Sequence, residues 1–427
     1  MKAKKLVALF LALTLTLGIT ACGNSSTTPS GGSQTNGSGG GKGTTITYAI
    51  WDKNQEPGMR AIADAFEAQN PGIKVKVEVT GWDEYWTKLE AGATGGVLPD
   101  AFWMHINNFR KYADAAMLEP ITEGVDMSKF PEGLVDLYTV DGTSYAVPKD
   151  FDTIGLWYNK TMFDEKGIPY PDESWDWDKA IEVAKQLTDP SAGVFGLMAG
   201  HSAENQQGFY NLIFQNGGHV ISEDKKSSGY DLPETIEAVQ VWHDLIHEHK
   251  VSPPYETLVE SSASNLFTSG RVAMVMLGSW MVTELKNNEY SAANADVAVL
   301  PQMKQRATVY NGLGNAVSAK SPNKEAALKF VQFTGTEEAN LLQAEHVSAI
   351  PAYEGTQQPW IDSITTFNVG KYVDMLEYAY IYPTSKTRPR WDVAENDYMR
   401  QILSGQLGVE EGCKALASEM NAILADE

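Results

Sequence analysis

The sequence predicts an α/β protein of two lobes, each built on a mixed, mainly parallel sheet flanked by helices. Residues 45–104 alternate between strand-like and helix-like patterns. The alternation of strand-like and helix-like patterns resumes beyond residue 150. The chain has 427 residues, of which 43% are hydrophobic. About 380 residues remain after a polar N-terminal segment, which is more than one core usually contains. In such sheets, ligands bind beyond the carboxyl ends of the strands.

The elements of the first lobe follow from hydrophobic periodicity and from chain breakers. An Asn-Pro-Gly run at residues 70–72 separates a helical pattern from a strictly alternating strand. Trp51, Asp52, Trp103 and His105 come at the ends of two predicted strands and should project at the ligand-binding edge. The predicted strands are residues 45–51, 73–79 and 99–104, and the predicted helices are residues 57–69 and 82–91.

The second lobe repeats the theme with clear helix signals. Ser174 and the acids that follow it favour the start of a helix that runs to Leu187. An Asn-Gly-Gly run at residues 216–218 ends another helical pattern. Further helices are predicted over residues 233–250 and, for most of the length, over residues 393–424, which should pack on this lobe.

The first 44 residues carry an export and anchoring pattern. Three lysines precede an apolar run over residues 6–17, which is too short to span a membrane. The Ile-Thr-Ala-Cys run that ends at Cys22 resembles the lipobox of bacterial lipoproteins, whose cysteine is lipidated. We therefore predict a signal peptide over residues 1–21, followed by the lipidated cysteine and a flexible Gly/Ser/Thr tether over residues 22–44. An ordinary secreted protein is the alternative.

Charge and cysteine content exclude several classes of function. The chain has 55 acidic and 33 basic residues, and three of the basic ones lie in the predicted signal peptide. A strongly negative chain repels nucleic acid and anionic lipid, so the lipid on Cys22 must provide any membrane attachment. Cys413 lies in a helical pattern and is interpreted as buried packing rather than as a redox group.

Four sequence runs resemble, in order, segments of the extracellular solute-binding proteins of the maltose-binding type, solute-binding protein family 1. The first is LPDAFWMHINNFRKYADAAML at residues 98–118, and the second contains DGTSYAVP and TIGLWYNK within residues 141–160. The third contains FTSGRVAM and GSW within residues 267–280, and the fourth covers residues 312–333. The resemblance therefore extends over most of the mature chain.

The resemblance implies a periplasmic-binding-protein-like fold that captures a carbohydrate, an oligosaccharide, in a cleft between the lobes. The expected role is delivery of that ligand to the permease of an ABC importer, by a monomer without enzyme activity, cofactor or bound metal. The protein would be anchored through Cys22 at the outer face of the cytoplasmic membrane. The expected lobes are residues 45–151 with 310–354, and residues 152–309 with 355–427.

A sugar presents apolar faces and a ring of hydroxyls, so its site needs flat aromatic rings and polar groups. Those candidates that rest on the resemblance are Trp103, Trp280, Trp391, Asp152, Asn205 and Gln207. Other candidates lie at predicted strand ends or near the crossings between lobes: Trp51, Asp52, Asn54, His105, Asp150, Asn311, Gly312 and Arg390. Core packing is the alternative for each tryptophan. Arg388 and Arg390, beside Trp391, would bind hydroxyls or an acidic substituent of the ligand, or else a carboxylate of the protein.

Other functions were weighed against this interpretation. A glycoside hydrolase would also use an acidic, tryptophan-lined cleft, but its acids, among Asp52, Glu84, Asp150 and Asp152, lie in no recognised catalytic motif. A binding protein for a non-sugar solute is a further alternative. His243 and His247 are four residues apart on a predicted helix, yet the His-Glu-x-x-His order of a zinc site is absent.

Overall fold

The computed structural model describes residues 43–198, 200, 204–346 and 349–427. These residues belong to one compact unit. The predicted signal peptide, Cys22 and the predicted tether up to residue 42 lie outside the described residues. Among the helices that are described, none combines the length and the apolar composition needed to cross a bilayer.

Strands and helices alternate along the described chain. The strands are β1 (Thr44–Ile50), β2 (Ile73–Val79), β3 (Ala101–Met104), β4 (Thr139–Val140), β5 (Thr143–Ser144), β6 (Ala146–Pro148), β7 (Asp150–Phe151), β8 (Ile154–Asn159), β9 (Met274–Gly278), β10 (Ala295–Ala298), β11 (Thr308–Tyr310), β12 (Gly314–Val317), β13 (Ile350–Pro351) and β14 (Ala379–Ile381). The α-helices are α1 (Glu56–Gln69), α2 (Trp82–Gly95), α3 (Ile106–Asp114), α4 (Glu132–Leu137), α5 (Lys160–Lys166), α6 (Trp177–Leu187), α7 (Tyr210–Gln215), α8 (Pro233–His247), α9 (Tyr255–Glu260), α10 (Ala263–Thr268), α11 (Val282–Asn287), α12 (Glu289–Asn294), α13 (Lys324–Thr334), α14 (Glu337–Glu345), α15 (Gln357–Asp362), α16 (Gly370–Asp374), α17 (Arg388–Leu403) and α18 (Val409–Leu424). Three short 3-10 helices (Met127–Lys129, Ser279–Met281 and Met375–Tyr378) and a π-helical turn (Asn205–Phe209) complete the set.

A five-stranded sheet in the order β2-β1-β3-β12-β6 forms the centre of the first lobe. β1 pairs in parallel with β2 and β3, whereas β12 runs antiparallel to β3 and β6. The alternating apolar residues of β1 are buried, and the ring of Tyr48 lies 4.9 Å from that of Phe330 on α13. The mixed sheet and the flanking helices predicted for this lobe are confirmed.

The second lobe is built on a three-stranded sheet in the order β10-β8-β9. β8 is antiparallel to both neighbours, and the parallel pairs described in this lobe include the isolated bridges Asp176–Gln302, Phe195–Val272 and Met198–Val275. The prediction of mainly parallel pairing is therefore wrong for the three-stranded sheet, whose strands pair antiparallel. The reason is that fully buried strands show the same continuous apolar runs in either direction, and periodicity does not report strand direction.

The C-terminal region is mostly helical, as predicted, and consists of two helices. α17 begins at Arg388, earlier than predicted, and a turn that includes Gly405 with φ of 76° separates it from α18. α18 packs against α17 and against α8. Cys413 on α18 is fully buried, as predicted, and burial raises the pKa of its thiol to about 12.

Short pairings join the segments at the predicted crossings between lobes. β7 pairs with β13, and the Asp152 N–H donates to the Asn311 carbonyl at 2.8 Å. Close by, β11 pairs in parallel with β14. The lobe boundaries given above remain predictions, and these pairings lie close to all three of them.

Candidate functional site

A cleft of about 580 Å³ opens beyond the carboxyl ends of β1, β3 and β9. This volume is in the range of small-molecule sites. Nine predicted site residues line it: Trp51, Asp52, Asn54, His105, Asp150, Asp152, Asn205, Gln207 and Trp280. It is also lined by residues that the sequence analysis did not single out as site residues, among them Trp82, Asn107, Glu204, Glu284, Tyr382, Asp392 and Asn396.

One wall of the cleft is aromatic. Trp51 follows β1, and its ring meets those of Trp82 and Tyr85 edge to face, with centroids 5.1 Å apart in both cases. The ring of Trp82 is also 5.5 Å from that of His105. Trp82 is 42% exposed and offers an apolar surface to a ligand. Its position at the start of a helix directly after β2 was the signal that could have identified it.

Trp280 contributes aromatic surface from the second lobe. It lies in the 3-10 helix that follows β9 and is partly buried. A Cβ added to Gly278 would lie only 2.0 Å from the Trp280 ring, so the indole packs directly on the glycine backbone. The side chain of Gln207 supports the same turn, because its Oε1 accepts a bond from the Gly278 N–H at 2.9 Å.

Two predicted stacking tryptophans do not reach the cleft surface. Trp103 is 0% exposed, and its Nε1 donates to the Tyr48 hydroxyl at 2.6 Å. Trp391 is equally buried, with its Nε1 donating to Ser385 Oγ at 2.9 Å. The N–H of each indole is thus hydrogen-bonded within the protein, and in this structure both tryptophans pack in the core.

Asn311 and Gly312 lie behind the cleft floor rather than on its surface. Asn311 is 1% exposed, and its Nδ2 is 3.2 Å from His105 Nε2. Gly312 permits a close backbone approach, because an added Cβ would lie 2.1 Å from the Asp150 carbonyl oxygen. Both residues therefore support side chains that do line the cleft.

The two arginines at the start of α17 pair with protein carboxylates. Arg390 lies on the surface, where it pairs with Asp426 at 2.7 Å, so it does not line the cleft. Arg388 is fully buried and pairs with Asp392 at 2.5 Å. In this structure, both arginines therefore pair with carboxylates of the protein.

Arg388 also organises polar side chains that face the cleft. It donates to the hydroxyls of Tyr382 at 2.8 Å and Tyr210 at 2.9 Å. The Tyr382 hydroxyl donates in turn to Asn205 Oδ1 at 3.0 Å, while Asn205 Nδ2 donates to the buried Glu395 at 3.0 Å. This network fixes Asn205 and Tyr382 in the cleft wall.

A buried ion pair forms part of the cleft floor. Lys149 Nζ lies 2.6 Å from Asp150 Oδ2 and donates to Gln55 Oε1 at 2.7 Å, and both members of the pair are almost fully buried. The second oxygen of Asp150 accepts the Leu313 N–H at 2.8 Å. Asp150 is therefore held rigidly by partners on both of its oxygens.

The carboxyl groups of Asp152 and Glu204 are electrostatically unusual. Burial, together with the negative charge of Asp150, raises the pKa of Asp152 well above its usual value, against a bond donated by Gln206 Nε2 at 2.5 Å. Burial also raises the pKa of Glu204, with a further contribution from Asp392. Perturbed carboxyls gathered in a cleft are typical of functional sites.

We expect Asp152→Asn to raise the thermal unfolding midpoint of the ligand-free protein at pH 7, since the amide removes a partly buried negative charge. A carboxyl whose folded-state pKa is raised costs stability as pH rises above its unfolded value of about 4. The advantage of the variant should therefore shrink as pH falls from 8 towards 4. Thermal unfolding across this range, with the exposed Asp231→Asn as control, measures it. A difference that is constant with pH, or a loss of stability at pH 7, would contradict the assignment.

The histidine pair on α8 is engaged in local contacts. The rings of His243 and His247 stack with centroids 4.3 Å apart. His243 Nδ1 bonds with Asp244, and His247 Nε2 with the Leu403 carbonyl. Within the part of the chain that the structure describes, no group of three or more His, Cys, Asp or Glu side chains is arranged to hold a metal ion.

Comparison with known proteins agrees with this architecture. Residues 52–341 match the family model of the bacterial extracellular solute-binding proteins. The galactooligosaccharide-binding protein of Bacillus subtilis is 25% identical over 82% of this chain and 81% of its own, and the lactose-binding protein of Rhizobium radiobacter is 25% identical over 67% and 69%. Among solved structures, the ABC substrate-binding protein Lmo0181 of Listeria monocytogenes, in complex with cycloalternan, superposes with a TM-score of 0.83. It is 28% identical, and the match covers 90% of this chain and 99% of that one.

Proposed function

The chain belongs to the bacterial extracellular solute-binding proteins, and we propose that it captures an oligosaccharide in the cleft for an ABC importer. The relatives of the chain support this proposal, since they include galactooligosaccharide-, arabinooligosaccharide- and lactose-binding proteins. The protein is proposed to act as a monomer that passes its ligand to the permease of the importer.

The observation that carries the proposal is the placement of aromatic surface on two sides of a polar cleft. Trp51 and Trp82 contribute from the first lobe and Trp280 from the second. Sugar rings stack on such surfaces through their C–H faces, while their hydroxyls bond to side chains such as Asp152 and Gln207 between them. A site with aromatic groups on both lobes suits a ligand of several sugar units.

Ligand contacts on both lobes would favour a closed conformation. We propose that the lobes flex near Asp152, Val309 and Ala352, where the crossings between residues 45–151 with 310–354 and residues 152–309 with 355–427 were predicted. The ligand supplies the differential affinity that shifts the population, because it touches both lobes at once only when the cleft is closed. The closed surface is then what the permease recognises.

A thermal-shift screen of the purified protein tests the function. The panel contains mono-, di- and oligosaccharides, with amino acids, polyamines and metal ions as controls. A ligand that binds only the folded state raises the unfolding temperature, so we expect a rise with one class of glycan, which is then recovered intact. A response confined to a non-sugar class would overturn the carbohydrate assignment, and turnover of the glycan would favour a hydrolase.

We further propose that Cys22 carries a lipid which anchors the protein to the outer face of the cytoplasmic membrane. The lipobox-like run before Cys22 and the Gly/Ser/Thr tether support this proposal. Cys22→Ser should release the protein from the membrane fraction into the medium or periplasm, as measured by fractionation and immunoblotting. Ala21→Gly, which keeps a small residue before the cysteine, serves as control. Retention of Cys22→Ser in the membrane would contradict the anchor.

A further inference from the structure

The cleft is lined by hydrogen-bond acceptors that carry negative charge. Of the described residues that line it, none is lysine or arginine. A ligand that enters must therefore approach a surface whose formal charges are all of one sign. The acidic side chains in this lining are Asp52, Asp150, Asp152, Glu204, Glu284 and Asp392.

The nearby cations are directed away from the cleft space. Lys149 is 2% exposed, and its ammonium group donates to Asp150 and Gln55. Arg388 is fully buried and donates to Asp392, which lines the cleft. His105 does line the cleft, but burial and the positive charge of Arg388 lower its pKa to about 3, so that its ring is neutral at physiological pH. The two cations offset Asp150 and Asp392, which they hold. The raised pKa values of Asp152 and Glu204 favour their neutral forms. Asp52 and Glu284 therefore carry the uncompensated negative charge of the lining.

Unpartnered polar atoms add to the demand for hydrogen-bond donors. Ser279 lines the cleft and is 1% exposed, and its Oγ has no hydrogen-bond partner among the described residues. The same holds for Oδ1 of Asn107, which also lines the cleft. A buried polar atom without a partner is costly, and a ligand that donates to it recovers that cost.

On the basis of the proposed function, we infer that the cleft selects carbohydrates whose groups are neutral hydrogen-bond donors and rejects glycans that carry carboxylate, sulfate or phosphate. Hydroxyl groups satisfy carboxylates and amide oxygens without adding charge. An anionic substituent, in contrast, is repelled by the carboxylates of Asp52 and Glu284, which are in no ion pair among the described residues. Selection here comes from the repulsive arrangement as much as from attractive contacts.

Matched glycan pairs test this inference. Calorimetry compares maltotriose, cellotriose and β-1,4-galactotriose with their forms oxidised to carboxylate at C6. For every triose that binds, we expect the neutral form to bind at least about thirtyfold more tightly. The ratio should fall when salt is raised from about 0.02 to about 0.5 M, because screening weakens repulsion between partly solvated charges.

Two charge variants separate repulsion from shape. Glu284→Gln should reduce the ratio, because it removes a negative charge from the lining while it keeps the size of the side chain. Glu289→Gln, an exposed position on the neighbouring helix α12, should leave the ratio unchanged. Equal or tighter binding of a carboxylate form overturns the inference and leaves the carbohydrate function intact, whereas failure of every glycan in the wider screen overturns both.

Discussion

Arg388→Met is expected to lower the free energy of unfolding by about 3–5 kcal/mol, because it breaks a fully buried ionic network. The guanidinium bonds to Tyr210, Tyr382, the Pro383 carbonyl and Asp392. It also lies 4.0 Å from the centroid of the Trp391 ring. Methionine can retain part of the packing but none of the donors, so that buried hydroxyl and carboxylate groups lose their partner. Urea unfolding followed by tryptophan fluorescence measures the loss.

Arg390→Met is the matched control, since Arg390 lies on the same helix and also pairs with an aspartate. That pair is more than half exposed on both sides, so its removal should cost less than about 1 kcal/mol. Burial raises the pKa of Glu395, and Arg388 opposes that rise. The deficit of Arg388→Met should therefore be smaller near pH 5 than near pH 8, because Glu395 without Arg388 is more readily protonated in the folded state. Equal losses in the two variants would contradict a structural role for the buried network.

The same network explains why Trp391 lies in the core and not at the cleft surface where stacking on a ligand was predicted. The Arg-Pro-Arg-Trp run predicts aromatic and cationic groups close together, but not which face of the helix is buried. Besides its near neighbours Tyr382, Pro383 and Asp392, Arg388 bonds to the hydroxyl of Tyr210, which lies 178 residues away along the chain. Interactions of this range leave no local pattern, so stacking on a ligand and packing on an arginine could not be separated in advance.

Trp51 and Trp103 show a similar limit. Both follow or end strands whose carboxyl ends meet at the cleft, and the sequence correctly predicted that edge of the sheet. Trp103 is more deeply buried than Trp51 because its N–H donates to the Tyr48 hydroxyl, which itself donates to Asn315 Oδ1 at 2.6 Å. A donor–acceptor chain of this kind draws Trp103 into the core and leaves Trp51 between it and the ligand space.

Several acidic residues of the cleft were missed for a different reason. The sequence around these residues predicts only solvent-exposed helix faces or loops; they are Glu204, Glu284 and Asp392. Only the packing of α17, α11 and the π-helical turn around one space brings them together. The fold class was predictable because it rests on periodicity, whereas the charge of the cleft depends on contacts between elements distant in sequence.

Trp280→Ala is expected to weaken glycan binding by about 1–3 kcal/mol, the range measured for aromatic stacking platforms. This corresponds to a loss of about fivefold to about 150-fold in affinity. Trp280 is the second lobe's tryptophan in the cleft lining, so its removal should affect both the stacking energy and the contact that favours closure. Isothermal calorimetry with the glycan found in the thermal-shift screen measures the change.

Two further variants distinguish the ring itself from its support. Trp280→Phe keeps an aromatic face and should lose less affinity than Trp280→Ala. Gly278→Ala keeps the indole but places a methyl group within 2.0 Å of it, so the ring must move and affinity should fall as well. Because Gly278 ends β9 and contacts the ring directly, a loss in this variant would link the strand geometry to binding. Unchanged affinity in Trp280→Ala would instead remove Trp280 from the site and leave Trp51 and Trp82 as the stacking surface.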